Sequence, residues 1–145
     1  MPAATELFSD AELVQLTDAI ARAESRTSGE IRIHVENWCW FDPQWRARRV
    51  FRNLAMHKTT AHTGVLIYVA VRSYKMAIIG DSGINKVVPE GFWDETLNRL
   101  REDFRAKRFT QGLVEAVNHC GTQLAKHFPG SHNNPDELPN EISFG

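Results

Sequence analysis

Two carboxylates set among glycines and hydroxyls are the residues of this sequence best suited to chemistry. Glu30 closes Thr27-Ser28-Gly29-Glu30, Asp81 sits inside Gly80-Asp81-Ser82-Gly83, and Thr63-Gly64 lies between them in the chain. A hard cation such as Ca²⁺ or Mg²⁺ takes oxygen ligands and draws some of them from backbone carbonyls in open loops. Glu30 and Asp81, with the glycines and hydroxyls around them, are therefore the candidate metal ligands. The same residues fit a purely structural reading, in which Glu30 pairs with a lysine, Asp81 caps a turn through an Asx bond, and the glycines serve turn geometry.

The elements that must position the two carboxylates follow from periodicity. Residues 65–71, from Val65 to Val71, form an unbroken apolar run rich in β-branched side chains, too short for a helix, which predicts a central strand buried on both faces. After the polar break Arg72-Ser73-Tyr74-Lys75 comes a second run, Met76 to Ile79, so the pair reads as an antiparallel hairpin. The hairpin brings Asp81 back to the end of the sheet where Gly64 enters. Glu30 opens a run in which Ile31, Ile33 and Val35 alternate with Arg32, His34 and Glu36, the pattern of a half-buried strand nearer the sheet's edge. Its start and Asp81 then share one end of the sheet, where function is expected.

Helices complete the frame. Ser9 and Glu12 make a capping box ahead of Leu13, Leu16, Ile20 and Ala23, predicting a helix over 10–25 that Gly29 follows with a positive-φ turn. Asp42-Pro43 is an N-cap and first-turn proline for a second helix with Ala47, Val50, Phe51 and Leu54 inward and its arginines outward. That helix is long enough to join parallel neighbouring strands. Trp93, Leu97, Leu100 and Phe104 mark a third helix, and Thr110 caps a fourth with the stripe Leu113, Val117, Cys120 and Leu124. The fold class is α/β: a three-layer α/β/α sandwich, a small mixed sheet with helices on both faces.

Composition bounds the rest. With 145 residues and 42% hydrophobic side chains the chain reads as a single domain over residues 1–145. A net charge of -1 gives no global grip on nucleic acid or anionic lipid. The basic cluster Arg46, Arg48, Arg49 and Arg52 reads as a solvated face, since no aromatic platform interleaves with it. No run reaches the ~20 apolar residues of a membrane span, and two cysteines outside any CxxC spacing suit a reduced, cytoplasmic setting. GxxxxGK[ST], HExxH and GxSxG are absent. Cys120 lies on an apolar stripe and reads as core. His34, His57 and His62 lack further ligands at a metal-binding spacing and read as hydrogen-bonded histidines.

The strings TSGEIRIHVE, TGVLIYVAV, AIIGDSGINKVV, RFTQGLVEAV and NPDELPNEI resemble the TPM domain family in its short stand-alone bacterial form, over about residues 7–142. The resemblance implies an α/β/α sandwich. It further implies binding of calcium or another divalent cation at an acidic site at one end of the sheet, and, for one plant member, acid phosphatase activity. By likeness Asp81 is the first residue to carry over. The acidic close Asp136, Glu137 and Glu141 belongs to a recurrent block, so residues 131–145 are expected to pack on the domain. Thr63 stands where the family has asparagine or aspartate, which removes one ligand and weakens affinity.

Three functions follow. The first is a cation-binding regulatory or protein-interaction module. The second is a weak metal-dependent phosphomonoesterase, for which only Lys58 and Lys86 come near the carboxylates. The third is a structural partner of a membrane-associated complex, with Trp38 and Trp40 as contact points.

Overall fold

The computed structural model describes residues 2–59, 61–130 and 140–145. Elements run α1 (Asp10–Glu24), β1 (Glu30–Glu36), α2 (Pro43–Asn53), β2 (Gly64–Ala70), β3 (Lys75–Gly80), α3 (Ser82–Asn85), α4 (Asp94–Arg105), α5 (Phe109–His127) and β4 (Ser143–Phe144), with short 3-10 turns at Ala4–Glu6 and Met56–Lys58. The sheet order is β3-β2-β1-β4. β1 runs parallel to β2 and to β4, whereas β2 and β3 form the antiparallel hairpin. The fold is α/β with a mixed four-stranded sheet, as its periodicities predict.

Side-chain alternation divides the core into two. Ile31, Ile33 and Val35 of β1 join Val65, Ile67 and Val69 of β2 on the face covered by α1, α4 and α5. Leu66, Tyr68 and Ala77 face the other way, against Ala47, Val50 and Phe51 of α2. Every residue of β2 is buried, which follows from its lack of any polar position. The capping box is present, with Glu12 N–H donating to Ser9 Oγ and Ser9 N–H to Glu12 Oε1. Asp42 caps α2 through Gln44 N–H, with Pro43 in its first turn.

Four expectations change. β1 is an interior strand, because Ser143 and Phe144 pair beyond it opposite His34 and Val35. Its alternate positions are polar without being exposed: His34 and Glu36 are buried. Gly29 does not adopt a positive φ. A Cβ there would meet Leu124 at 3.1 Å and the Thr63 carbonyl at 3.2 Å, so close approach is what its position needs. Thr110 is not a cap either; it lies within the first turn of α5, and its hydroxyl donates to Glu12.

A buried acid explains how β1 tolerates a polar face. Arg46 of α2 donates two hydrogen bonds of 2.8 Å to Glu36, and the Tyr68 hydroxyl of β2 donates a third. His34 Nε2 lies 3.2 Å from the same carboxylate, while His34 Nδ1 lies 2.9 Å from Ser143 Oγ. Burial alone would raise the Glu36 pKa, but the bonds from Arg46, His34 and Tyr68 outweigh it and hold the carboxyl well below the usual carboxylate range. Burial and the bond to Glu36 push the Tyr68 phenol up. Cys120, enclosed in the other core, is pushed up to about 12 by burial, in keeping with a core role rather than a nucleophilic one.

A folded carboxyl held below its unfolded value contributes stability that is fully present above about pH 4.3 and is lost progressively as pH falls from there through the lower folded value. Wild type is therefore expected to lose stability below about pH 4, and Glu36→Gln to cost roughly 2–4 kcal/mol at pH 7 with a flatter acid limb. Urea titrations across that pH range check this. An unaltered acid limb in the variant would show that Glu36 is not the responsible group.

Candidate functional site

Asp81 follows the last residue of β3 and caps α3. Its N–H donates to Gly64 O at 3.0 Å, and its Oδ1 accepts from Ser82 N–H at 2.7 Å. Oδ2 is closed off from solvent and receives no hydrogen bond. The exposed His62 faces it, with its Nδ1 3.4 Å away. The loop carrying His62 is drawn in by Gly83, whose N–H donates to His62 O at 2.9 Å.

Glu30 is the first residue of β1, directly opposite Gly64. Gly64 thus stands between Glu30 and Asp81 on adjacent strands, and at ~4.8 Å per strand the two acidic residues sit about 10 Å apart along the backbone. The Glu30 side is packed rather than open. Glu30 is 6% exposed, Thr27 donates its hydroxyl to Phe128 O, and Thr63 donates to Ser28 O at 3.4 Å. The Thr27 and Thr63 hydroxyls, read from the sequence as pocket oxygens, are thus engaged in closing this end of the molecule.

The open space lies on the Asp81 side. A cleft of about 720 Å³ runs along the outer edge of β3, and Asp81 lines it while Glu30 does not. Arg48 and Arg52 of α2 and His57 stand on one side, with Glu90 and Asp94 also among its lining residues. Of the basic side chains named above, Arg48 and Arg52 line this cleft, whereas Lys58 and Lys86 are not among its lining residues. Arg48 and Arg52 lie one helical turn apart, a spacing visible in sequence. What is not visible is that α2 packs over β3. Among the described residues no group of three or more His, Cys, Asp or Glu side chains could hold a metal ion. Asp136 and Glu137 lie outside the described residues, and Glu141 is exposed.

A second feature occupies the opposite end of the sheet. Trp38 and Trp40 stack with centroids 5.2 Å apart and planes 12° off parallel. The Arg49 guanidinium lies 5.2 Å from the Trp45 ring and that of Arg72 6.0 Å from Trp38. An aromatic platform does interleave with the arginines, contrary to the sequence expectation. The tryptophans come from the loop after β1 and the first turn of α2, and only the fold joins them.

Residues 3–123 match the model of the TPM domain family. The chain is 46% identical to the BA42 protein of the psychrophilic bacterium Bizionia argentinensis, whose NMR structure superposes with a TM-score of 0.89 over 97% of each chain. The N-terminal domain of a P. gingivalis protein superposes with a TM-score of 0.71 at 16% identity, covering 88% of this chain and 84% of that one. The N-terminal domain of the cg2496 protein of Corynebacterium glutamicum gives 0.63 at 10% identity, covering 91% and 80%. The last two likenesses bear on the fold alone. No curated protein matches the chain. No helix among the described residues is long and apolar enough to cross a membrane.

Gly83 offers a direct test of this geometry. A Cβ there would meet His62 O at 2.6 Å and Ala61 O at 2.7 Å, both backbone atoms that cannot rotate away. Gly83→Ala is expected to cost roughly 1–3 kcal/mol and to shift the His62 and Asp81 amide resonances. Unchanged stability and spectra would show that the loop does not need this contact.

Proposed function

On the premise that the chain belongs to the TPM domain family, established by the match over residues 3–123 and by 46% identity along 97% of a solved relative, we propose that it is a divalent-cation-binding interaction module centred on Asp81. One observation carries the reading. Asp81 Oδ2 is a buried carboxylate oxygen without a hydrogen bond, and such an atom costs about 1–3 kcal/mol unless something compensates it. A hard cation would do so. Oδ1 is engaged by the Ser82 amide, so Asp81 offers one oxygen in a fixed direction. Glu30 is the supporting carboxylate. The remaining ligands would be backbone carbonyls and water, a small protein share that suits the weak end of calcium affinities, about 10⁻⁴–10⁻³ M. When bound, the cation supplies positive charge that joins the ends of β1 and β3 and favours anionic partners in the adjoining cleft.

A cation that binds only the folded chain raises stability with the logarithm of its free concentration, by about 1.4 kcal/mol at ten times Kd. Melting temperature in a Ca²⁺ titration should follow that law in wild type. Asp81→Asn keeps the helix cap, since asparagine caps as well as aspartate, and should lose most of the response. Glu30→Gln should lose less. Equal stabilisation of wild type and Asp81→Asn would move the site elsewhere, with Asp136, Glu137 and Glu141 next.

Arg48 and Arg52 in the cleft beside Asp81 favour a second reading, a weak metal-dependent phosphomonoesterase. Phosphoryl transfer needs cationic groups on the phosphoryl oxygens and a nucleophile in line. The cleft has the first and lacks a phosphate-cradling loop. The expected outcome is at most a metal-dependent trace of hydrolysis. Saturable turnover that survives extensive purification and is abolished by Asp81→Ala would establish the enzymatic reading in its place.

A further inference from the structure

The carboxyl ends of β1, β2 and β4 all point away from Asp81, and in open α/β sheets ligands gather beyond the carboxyl ends of strands. At that end of β1 lies a hollow of about 440 Å³ walled by Trp38, Trp40, Phe41, Trp45, Arg46 and Arg49. We propose that this hollow binds a nucleoside phosphate, its base stacked on the exposed tryptophan face and its phosphate on Arg49. The site lies at the other end of the sheet from Asp81 and does not depend on the cation reading.

Four observations carry it. Trp40 is 74% exposed while its ring is stacked on Trp38, so it is the open end of a stack that a planar base would extend. Arg49 is held over Trp45 and forms no ion pair with a carboxylate among the described residues, which leaves its charge for an anion. Glu36, the acid lining the hollow, is buried and engaged by Arg46, His34 and Tyr68, so an incoming phosphate meets no free negative charge there. The loop is also held in place before binding. Cys39 N–H donates to Ser73 Oγ at 2.9 Å, and Lys75 Nζ donates to Phe41 O at 3.0 Å, which lowers the ordering cost of binding. The volume lies in the range of small-molecule sites, about 300–1,000 Å³, and suits one nucleotide.

Rings and cations in alternation are the chemistry of base and phosphate together. Stacking a base on one aromatic side chain is worth roughly five- to a hundredfold in affinity. A neutral nucleoside loses the Arg49 contact, and inorganic phosphate loses the stack.

The four tryptophan indole N–H signals in a ¹⁵N–¹H correlation spectrum provide the test, with buried Trp93, which belongs to the core on the α4 and α5 side, as internal control. Titration with AMP or UMP should shift the signals of Trp38, Trp40 and Trp45 saturably and leave Trp93 in place. Adenosine and inorganic phosphate should each bind at least about tenfold more weakly than AMP. Trp40→Ala and Arg49→Gln, both at exposed positions, should each weaken AMP about tenfold, and Asp81→Asn should leave it unaltered. A short single strand should bind no tighter per nucleotide than AMP. The proposal is overturned by no saturable shift with millimolar AMP, by an equal response to phosphate alone, or by unchanged affinity in both variants. It is overturned equally if only a single strand, or only vesicles of phosphatidylcholine and phosphatidylserine, move the tryptophan signals.

Discussion

A carboxylate buried at the end of an interior strand is tolerable only if every neighbour cooperates, and Glu36 sets that condition for this fold. Its partners come from four elements: Arg46 from α2, Tyr68 from β2, His34 from its own strand, and through His34 the hydroxyl of Ser143 in β4. The register that places His34 opposite Tyr68 on one side and opposite Ser143 on the other is the register that satisfies Glu36. His34 and Tyr68 also stack, with planes 9° off parallel. Hydrophobic burial drives the layers together without direction, whereas this network accepts a single alignment of β4, β1, β2 and α2.

The consequences reach both ends of the sheet. With Arg46 turned inward to Glu36, helical geometry carries Arg48 and Arg52 toward the edge of β3 and Arg49 over Trp45. One helix thereby supplies cations to the Asp81 cleft at one end and to the tryptophan hollow at the other. At the Asp81 end, side chains are missing where backbones must approach. Gly64 separates two acidic residues, and Gly83 admits the His62 carbonyl.

Much of this was legible in the residues. The unbroken run of β2, the hairpin into β3, the capping box of α1, the Asp42-Pro43 start of α2 and the placing of Glu30 and Asp81 at the same end of the sheet follow from local periodicity and turn chemistry, which act over a few residues. The misses share one cause, long-range packing. Glu36, with His34, fell on the polar face of a strand read as half-buried, because alternation reports polarity and not burial; the partners that make burial tolerable lie up to 109 residues away. β4 escaped notice since two residues carry no periodicity and their pairing depends on the exposed side of β1. Trp45 and Arg49 stand four apart on α2, a pairing legible in the spacing, whereas the Trp38–Trp40 stack and its Arg72 neighbour join a loop to a hairpin turn and needed the fold.

The central functional claim is that the orphaned oxygen of Asp81 is where a hard cation binds. The ¹³C shift of the Asp81 carboxyl carbon during titration with Ca²⁺ and with Mg²⁺ tests it most directly, because it reports the ligating group rather than its effect on stability. A saturable shift at Asp81, a smaller one at Glu30 and none at Glu36, which is already fully engaged, is the expected result. Saturation of other carboxyl groups while Asp81 stays fixed would contradict the claim and leave its unpaired oxygen as a feature of the His62 contact alone.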